Sequence, residues 1–448
     1  MTTGTVAWDA VEREAAETLS RYIQINTTNP PGNETEGACF LKDILEKEHI
    51  AADLYESMPG RGSLVSRYRG DRELPDLLLL HHIDVVPAEQ EKWRYSPFSG
   101  ASVGGEIWGR GALDCKFLGI MEFMAFILLK REGLCPEKYM VLAATADEEA
   151  GGAWGVRWLM ENHPGLLAAR YVINEGVGWG FDTGLCNLCL CQVAEKGACW
   201  MRITFSGRPG HASLPHDENC VVHMARAVEL LSGSCFPVRV TAPVRKLIQG
   251  LAPVQELMPP EEFLRLLNEG DCRRVLEGIR EKTFRHMLAA TLRDTAVPTV
   301  ASAGSKVNVI PGECYCEVDC RILPGTDPDE LAIRIRELLE AGGCRNFTVA
   351  FKGKSQSSVS PTDTPLYRAL EDSFTRHDPR ARVVPYMSPG ATDSRFFRAR
   401  GIPAYGLQFD ASIEATQRIH GHNERISIEQ LIRGTRVLYD TARRFCSL

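Results

Sequence analysis

Three strongly apolar segments, each ending in acidic or histidine side chains, constrain the fold of this chain more than any other feature. They are "DLLLLHHIDVV" from Asp76, "YMVLAATADEE" from Tyr139 and "YVINEG" from Tyr171, and segments with helical spacing lie between them. Short apolar runs bounded by turns are typical of buried strands, and their alternation with helices is typical of a mostly parallel, doubly wound sheet. The sequence therefore predicts an α/β fold.

The strand pattern changes near residue 195. The segments "CWMRITFSG" and "CYCEVDCRI" alternate in polarity as half-buried strands do, and a charged, leucine-rich helical region lies between them at about residues 245–295. The α/β rhythm returns from Thr364. These changes predict an α/β domain of residues 1–194 and 356–448, interrupted by an inserted α+β domain of residues 195–355.

Composition excludes some classes of partner. The chain has 448 residues and a net charge of -7, without a basic tract of the kind that follows a phosphate backbone, so we expect no binding to nucleic acid. It also has no run of about 18 apolar residues and no apolar leader, so we expect no membrane association. Fifteen cysteines, an odd number, suit reduced thiols and a cytoplasmic location.

Two cysteine clusters have simple structural interpretations. Cys186 and Cys189 form a C-x-x-C pair, but no second pair follows at the spacing of a zinc ribbon. Cys314, Cys316 and Cys320 share the parity of one strand face, so small buried thiols lining a sheet explain them. We expect neither cysteine cluster to supply catalytic residues.

Side chains of the kinds that bind metals follow each apolar strand, namely His82 and Asp84, then Glu148 and Glu149, then Glu175. In open α/β sheets ligands bind outside the carboxyl ends of the strands, and the loops with Asp114 and "IHGHNE" could fold over the same edge. Two carboxylates about 4 Å apart repel by roughly 4 kcal/mol, a cost that divalent cations remove. Taken singly, each residue could equally be a cap or a solvated charge, so spacing alone leaves the metal site open.

A series of short motifs makes the interpretation more specific: "HIDVVP", "GRGALDCK", "DEEAGG", "NEG", "GRPGHAS", "NVIP", "DCRILPG", "SPGATDSRF" and "HGHNERI". In this order they resemble the zinc metallohydrolase family of aminoacylase, glutamate carboxypeptidase, carboxypeptidase S and succinyl-diaminopimelate desuccinylase. Cys115 and Asn174 depart from the residues that are common at their positions. The resemblance implies hydrolysis of an amide bond in a small substrate with a free carboxylate, such as an N-acyl amino acid or a dipeptide.

The resemblance also implies two bound zinc ions, which cobalt or manganese could replace. His82 and Glu175 would hold one ion, Glu149 and His420 would hold the other, and Asp114 would bridge both. Side chains of an extended chain alternate between faces, so His81 should point away from the ligand His82 and act as a packing or hydrogen-bonding neighbour.

Two further residues of the centre receive roles from the same resemblance. Asp84 would orient the ligand histidine, and Glu148 would be the general base that passes a proton from water to the leaving nitrogen. The ligand histidine of the last motif lies four residues before Glu424, which indicates His420, with His422 as the alternative.

In relatives the inserted domain is a lid that also forms a homodimer interface. The resemblance implies that His211 reaches the active site of the partner subunit and stabilises the oxyanion. Residues expected to face the substrate are Asn308, Arg321 and Gly390. Arg321 either grips the substrate carboxylate or forms a structural ion pair with Asp319 or Glu317.

Two other classes of function remain to be weighed. Ser102 in "GASVG" fits the pattern of a serine hydrolase, but that pattern needs a strand-turn-helix elbow, whereas this segment leads into the short stretch "EIWGRG". A non-catalytic relative would keep the fold for binding alone, but every expected ligand and Glu148 are present.

Overall fold

The computed structural model describes residues 6–68, 74–133, 139–176, 180–182, 186–233, 236–254, 257–409 and 412–446. The helices are α1 (Trp8–Gln24), α2 (Glu34–Lys47), α3 (Lys116–Arg131), α4 (Val156–Asn162), α5 (Cys220–Gly233), α6 (Ala242–Gly250), α7 (Pro260–Asn268), α8 (Cys272–Glu277), α9 (Lys282–Thr291), α10 (Pro328–Ala341), α11 (Pro365–His377), α12 (Ser394–Arg398), α13 (Ile413–Arg418) and α14 (Ile428–Cys446). Short 3-10 turns cover Gln90–Lys92 and Glu148–Ala150.

The strands of the first half of the chain are β1 (Ala52–Glu56), β2 (Gly62–Tyr68), β3 (Leu77–His82), β4 (Ala101–Val103), β5 (Glu106–Trp108), β6 (Met140–Thr145), β7 (Tyr171–Glu175), β8 (Gly180–Asp182), β9 (Asn187–Glu195), β10 (Gly197–Ser206) and β11 (Gly210–His211). Those of the second half are β12 (Thr295–Ala303), β13 (Val309–Ile310), β14 (Glu313–Ile322), β15 (Phe347–Lys354), β16 (Ser358–Val359), β17 (Ala381–Ser388), β18 (Ala404–Leu407) and β19 (Arg425–Ser427).

A 10-stranded sheet forms the centre of the molecule, in the order β1-β2-β6-β3-β7-β18-β9-β16, with β8 and β17 also pairing with β9. Strands β6, β3, β7 and β18 run parallel, whereas β1 and β2 pair antiparallel at one edge. The three apolar segments of the sequence are thus the adjacent parallel strands β3, β6 and β7. This arrangement confirms the predicted α/β fold with a mostly parallel central sheet.

Strand β3 shows why an uninterrupted apolar run is needed. Leu77 and Leu79 belong to the hydrophobic cluster that also contains α1, α3 and α14, while Leu78 and Leu80 belong to a cluster with α4 and α12. Both faces of the strand are therefore covered by helices, and neither face can be polar. Its last two residues, His81 and His82, are buried as well.

A separate antiparallel sheet of four strands, β12-β14-β10-β15, lies within the segment expected to be inserted. One of its faces packs against α5 and α10, and Cys314, Cys316 and Cys320 lie on that buried face of β14. Helices α6 to α9 instead share the hydrophobic cluster of the large sheet, and α6 contacts β17. The proposed boundaries at residues 195 and 355 remain a prediction, because packing divides this segment between the two sheets.

Two helix boundaries follow sequence signals directly. Gly133, with a φ of 66°, follows α3 in the left-handed conformation that glycine adopts without steric cost. At the start of α14 the main-chain N–H of Gln430 donates a hydrogen bond to the hydroxyl of Ser427 over 3.1 Å, as expected of a serine that caps the N-terminus of a helix. Among the described helices, none combines the length and apolar character that a membrane crossing requires.

Candidate metal centre

The polar ends of three neighbouring strands converge at one edge of the large sheet. His82 is the last residue of β3, Glu175 is the last residue of β7, and Glu148 and Glu149 lie in the turn that follows β6. Since β3 lies between β6 and β7, the parallel direction of these strands places all these side chains at the same edge.

Three of the predicted ligands form a first group, here called site A. His82 Nε2 lies 3.1 Å from Asp114 Oδ1 and 3.5 Å from Glu175 Oε2. Burial raises the pKa of the Glu175 carboxyl, although the positive charge of His82 opposes the shift. The Cys115 thiol also lies within this group, 3.4 Å from the main-chain nitrogen of His82.

The other predicted ligands form a second group, here called site B. His420 Nε2 lies 3.1 Å from Asp114 Oδ2 and 3.2 Å from Glu149 Oε2. Hydrogen bonds to Asp114 and then Glu149 raise the pKa of His420 to about 10, and burial raises the pKa of Glu149 to about 7. Asp114 therefore presents one carboxylate oxygen to each site.

The main chain fixes which nitrogen of His82 faces site A. His82 Nδ1 lies 2.9 Å from the carbonyl oxygen of Asp84. A carbonyl oxygen only accepts hydrogen bonds, so Nδ1 carries a proton, and Nε2 is the nitrogen that faces Asp114 and Glu175. A metal bound at site A would replace the proton on Nε2, while the bond from Nδ1 would hold the ring in place.

The carboxylate of Asp84 lies close to the ring that it is predicted to orient. It is 3.6 Å from His82 Nδ1, while the carbonyl oxygen of the same residue is 2.9 Å away, so the orienting role of the side chain stays a prediction. The two carboxylate oxygens accept the main-chain N–H groups of Glu148 and Glu149, each over 3.1 Å. Asp84 thus fixes the turn that carries the predicted base and a predicted ligand.

A buried polar network behind this turn was not predicted from the sequence. Asn29 donates to Asp84 Oδ2 over 2.8 Å, and Arg61 forms an ion pair with Asp147, which precedes Glu148 in a left-handed conformation with a φ of 72°. Arg61 also lies 3.0 Å from Glu34 Oε2. Asn29 and Arg61 lie far from Asp147 along the chain, so no local spacing could have connected them.

Glu148 occupies the position expected of a base. Its side chain is largely buried, and burial followed by the nearby charge of Glu175 raises the pKa of its carboxyl. Arg395 Nη1 lies 3.8 Å from Glu148 Oε1, and its guanidinium also donates to the carbonyl oxygens of Thr392 and Gly151. A fixed cation therefore faces the predicted base.

The donor set fits a pair of divalent cations. Sites A and B offer two imidazoles and three carboxylates, the nitrogen and oxygen donors that suit zinc, and within each group the ligand atoms lie within 4.8 Å of one another. Glu149 Oε1 is buried without a hydrogen-bond partner among the described residues, as expected of an atom that binds a metal. Within the described residues, the groups of side chains that could hold a metal ion are sites A and B. Neither site contains Cys186 or Cys189.

The residues predicted around the substrate lie away from these contacts. His211 is exposed, with Nδ1 2.7 Å from the hydroxyl of Ser213, and the carbonyl of Asn308 accepts the N–H of Ala212. Arg321 makes a bidentate ion pair with Asp319, at 2.7 and 3.0 Å.

The Gly390 N–H donates to Ser388 Oγ over 3.0 Å. The roles predicted for His211, Asn308, Arg321 and Gly390 therefore stay predictions.

Two alternatives from the sequence lie elsewhere in the structure. His422 Nε2 lies 3.0 Å from Glu89, outside site B. Ser102 is an exposed residue in the middle of β4, which forms an antiparallel hairpin with β5. The elbow that a serine nucleophile of this motif requires is absent at this described segment, so the serine-hydrolase alternative is wrong on geometry.

The fold and the shared-carboxylate centre together define an α/β metallohydrolase. The family model of peptidase family M20/M25/M40 matches residues 78–444. The chain belongs to this family, which confirms the resemblance seen in the motifs, and it is a hydrolase.

Individual proteins show the same relationship. The chain is 25% identical to aminoacylase-1 of Sus scrofa over 94% of this chain and 93% of that protein. It is 29% identical to an N-fatty-acyl-amino acid synthase/hydrolase of Homo sapiens over 80% of this chain and 72% of that protein.

Solved structures agree in fold. An M20 family metallo-carboxypeptidase from Sulfolobus solfataricus superposes with a TM-score of 0.72 at 20% identity, covering 97% of this chain and all (100%) of that one. A dinuclear metal-binding peptidase of the M20 family from Bacillus subtilis superposes with a TM-score of 0.63 at 13% identity, covering 98% and 100% of the two chains.

Proposed function

We propose that this protein hydrolyses the amide bond of a small substrate with a free carboxylate, an N-acyl amino acid or a dipeptide, with zinc bound at sites A and B. The observation that carries the proposal is the position of Asp114, whose two oxygens lie 3.1 Å from His82 Nε2 and 3.1 Å from His420 Nε2. One carboxylate shared in this way is the arrangement expected of a bridged metal pair. Cobalt or manganese could replace zinc at such donors.

The chemistry of the step divides between the metals and the protein. A bound pair of divalent cations lowers the pKa of a water molecule and polarises the amide carbonyl. Glu148 accepts the proton of the attacking water and delivers it to the leaving nitrogen. The raised pKa of Glu148 makes it a stronger base, and the bonds from Asp84 to the N–H groups of Glu148 and Glu149 hold the base in place.

Recognition of the substrate carboxylate is assigned to Arg321, with Asn308 and Gly390 beside the substrate. The guanidinium of Arg321 already binds one carboxylate in bidentate fashion, that of Asp319, and both side chains are partly exposed. A substrate carboxylate would compete with Asp319 for the same donors.

Two features support a homodimer formed through the inserted residues. Strand β12 lies at the edge of the four-stranded sheet, and its last five residues are exposed, which leaves a free edge for pairing. His211 is exposed and could reach the active site of a second copy, where it would stabilise the oxyanion. A cytoplasmic location is part of the same proposal.

The test is a hydrolysis screen of N-acyl amino acids and dipeptides, with divalent metal measured on the same purified sample. We expect turnover that is lost on chelation and restored by zinc. Glu148→Gln should keep its metal, because Glu148 belongs to neither site, and should lose about 100- to 10,000-fold in kcat.

Glu161→Gln, an exposed change on α4, is the matched control and should behave as wild type. Protein that binds no divalent metal, or near-normal turnover of Glu148→Gln, would contradict the proposal.

A further inference from the structure

Glu424 is fully buried, and its carboxylate lies among the main-chain N–H groups of the loop that ends at Asp114. Its Oε1 accepts the N–H groups of Gly111, Leu113 and Asp114 over 3.1, 2.6 and 3.1 Å. Its Oε2 accepts from Arg110 Nη1 over 2.7 Å. One side chain therefore satisfies the polar groups of a loop that carries the residue shared by sites A and B.

The main chain of Glu424 binds the same loop from the other side. Its carbonyl accepts the N–H of Gly109 over 2.9 Å. The next residue, Arg425, pairs with Trp108 where β19 joins β5. The loop of residues 109–114 is thus fixed at its beginning by strand pairing and at its end by the Glu424 carboxylate.

Glu424 is also the buried anchor of the loop that carries His420. The His420 side chain is 52% exposed, so packing alone holds it weakly. His420 and Asn423 both have a φ of 59°, in the left-handed region that residues other than glycine adopt uncommonly, Asn and His more often than most. The position of His420 relative to Asp114 therefore depends on the contacts at the end of this loop.

Arg110 extends the connection to a third loop. It is buried, donates to the carbonyl of Pro87 over 3.3 Å and lies 5.2 Å above the ring of Trp93. Pro87 belongs to the segment that leaves β3 after His82. The ion pair of Arg110 and Glu424 thus connects the segments that carry His82, Asp114 and His420.

We propose that Glu424, with Arg110, is a positioning residue that sets the separation of Asp114 and His420 and thereby the metal affinity of site B. This inference rests on the proposed function, because it requires metals at both sites. Glu424 itself faces the main chain and contacts neither a substrate nor a metal.

Site B should depend on Glu424 more than site A does. His82 and Glu175 end two strands of the large sheet, where His82 pairs with Thr145 of β6 and Glu175 pairs with Leu407 of β18. His420 has no such support. Loss of the Glu424 contacts should therefore weaken the metal equivalent at site B more than the one at site A.

The experiment is a zinc titration of metal-stripped protein in competition with a chromophoric chelator, together with metal content after dialysis. We expect two equivalents for the wild type. In Glu424→Gln one equivalent should weaken by about 10- to 100-fold, the range found for residues that support metal ligands. The double variant Glu424→Gln/His420→Ala should bind its remaining equivalent as His420→Ala alone does, because both changes act on site B.

Asp294→Asn is the matched control. Asp294 is a buried carboxylate that accepts a main-chain N–H from Leu323 and the hydroxyl of Thr326, and its arginine neighbours are Arg239 and Arg334. It should bind zinc as the wild type does, so that general loss of a buried carboxylate is separated from loss of this one.

The inference is wrong if folded Glu424→Gln binds both equivalents with wild-type affinity, or if both weaken equally. If Glu424→Gln does not fold, Arg110→Lys is measured against the same outcomes, since it leaves the three N–H contacts of Glu424 in place. A wild type that binds no zinc would contradict the proposed function, whereas an unchanged variant beside a two-zinc wild type would contradict this inference alone.

Discussion

At the scale of the residue, two adjacent histidines have opposite environments. His82 faces the carboxylates of site A, while His81 lies on the other face of β3 with Nδ1 3.4 Å from Glu122 Oε2 in a fully buried contact. Burial lowers the pKa of His81 to about 3 and raises that of Glu122, which favours the neutral form of both groups. The buried, neutral imidazole of His81 is therefore a packing element, whereas the imidazole of His82 lies among carboxylates and is the predicted metal ligand.

Because the two histidines have different environments, replacing each of them by alanine should have a different effect. His82→Ala should lose one zinc equivalent and nearly all turnover. His81→Ala should keep both equivalents but lose about 2–4 kcal/mol of unfolding free energy, because it leaves a cavity where the buried ring lay. Metal content and chemical denaturation measured on both variants test this, and loss of zinc from His81→Ala without unfolding would contradict the assignment.

At the scale of the element, Gly119 of α3 lies directly against the ring of His81 in β3. A Cβ built at Gly119 would lie 2.3 Å from Cδ2 and 2.4 Å from Nε2 of His81. The His81 ring is fully buried and cannot turn away, so any side chain at this position must push the helix from the strand.

Gly119→Ala should therefore destabilise the protein by about 1–3 kcal/mol, although alanine favours a helix by about 1 kcal/mol over glycine. Gly233 is the control: it ends α5, and nothing lies within 4 Å of a Cβ built there. Gly233→Ala should be neutral or slightly stabilising. Equal unfolding midpoints for the two variants would show that the close contact of α3 with β3 does not matter.

Features that the sequence could predict depend on residues close together along the chain, whereas features that it could not predict join residues that lie far apart along it. Strand β3 and the position of His82 at its end were predictable because an apolar run, a parity and a motif lie within a few residues, while the role of His82 as a metal ligand stays a prediction. The contact of Arg61 with Asp147 was not, because two polar residues that meet only in the folded state leave no periodic pattern. The ion pair of Arg321 with Asp319 lies between these cases, since residues two apart share a strand face, and the sequence left it open.

At the scale of the whole molecule, the segment predicted to be inserted contributes to two hydrophobic cores, and its helices α6 to α9 belong to the core of the large sheet. Their leucine-rich pattern predicts amphipathic helices but does not specify the core against which they pack. In the structure they bury residues such as Leu247, Phe263 and Leu288 in the core of the large sheet. The small sheet with α5 and α10 has a separate core.

The metal centre should also make the stability of the whole molecule depend on pH. In metal-free protein the pKa of Glu149 is raised by burial from 4.5 to about 7, so the folded state binds more protons than the unfolded state in that interval, and stability falls as pH rises through it. The pKa of His420 is raised by its carboxylate partners from 6.5 to about 10, so its contribution is complete below pH 6.5 and is lost toward pH 10. Both groups therefore contribute stability to the metal-free protein at acidic pH that is lost as the pH rises toward 10.

Zinc should reverse this trend, because it binds deprotonated ligands and its affinity rises with pH. Free zinc at about a thousandfold above its Kd would add about 4 kcal/mol to the unfolding free energy. The difference in Tm between zinc-loaded and metal-stripped protein should therefore widen from about pH 5.5 to about pH 7.5, because Glu149, with a pKa of about 7, loses its proton over this interval and protons compete less with zinc. Differential scanning fluorimetry at matched ionic strength measures this difference. His420→Ala should narrow it, because site B then lacks its histidine, and a zinc-induced shift that is constant across this range would mean that Glu149 and His420 do not bind the metal.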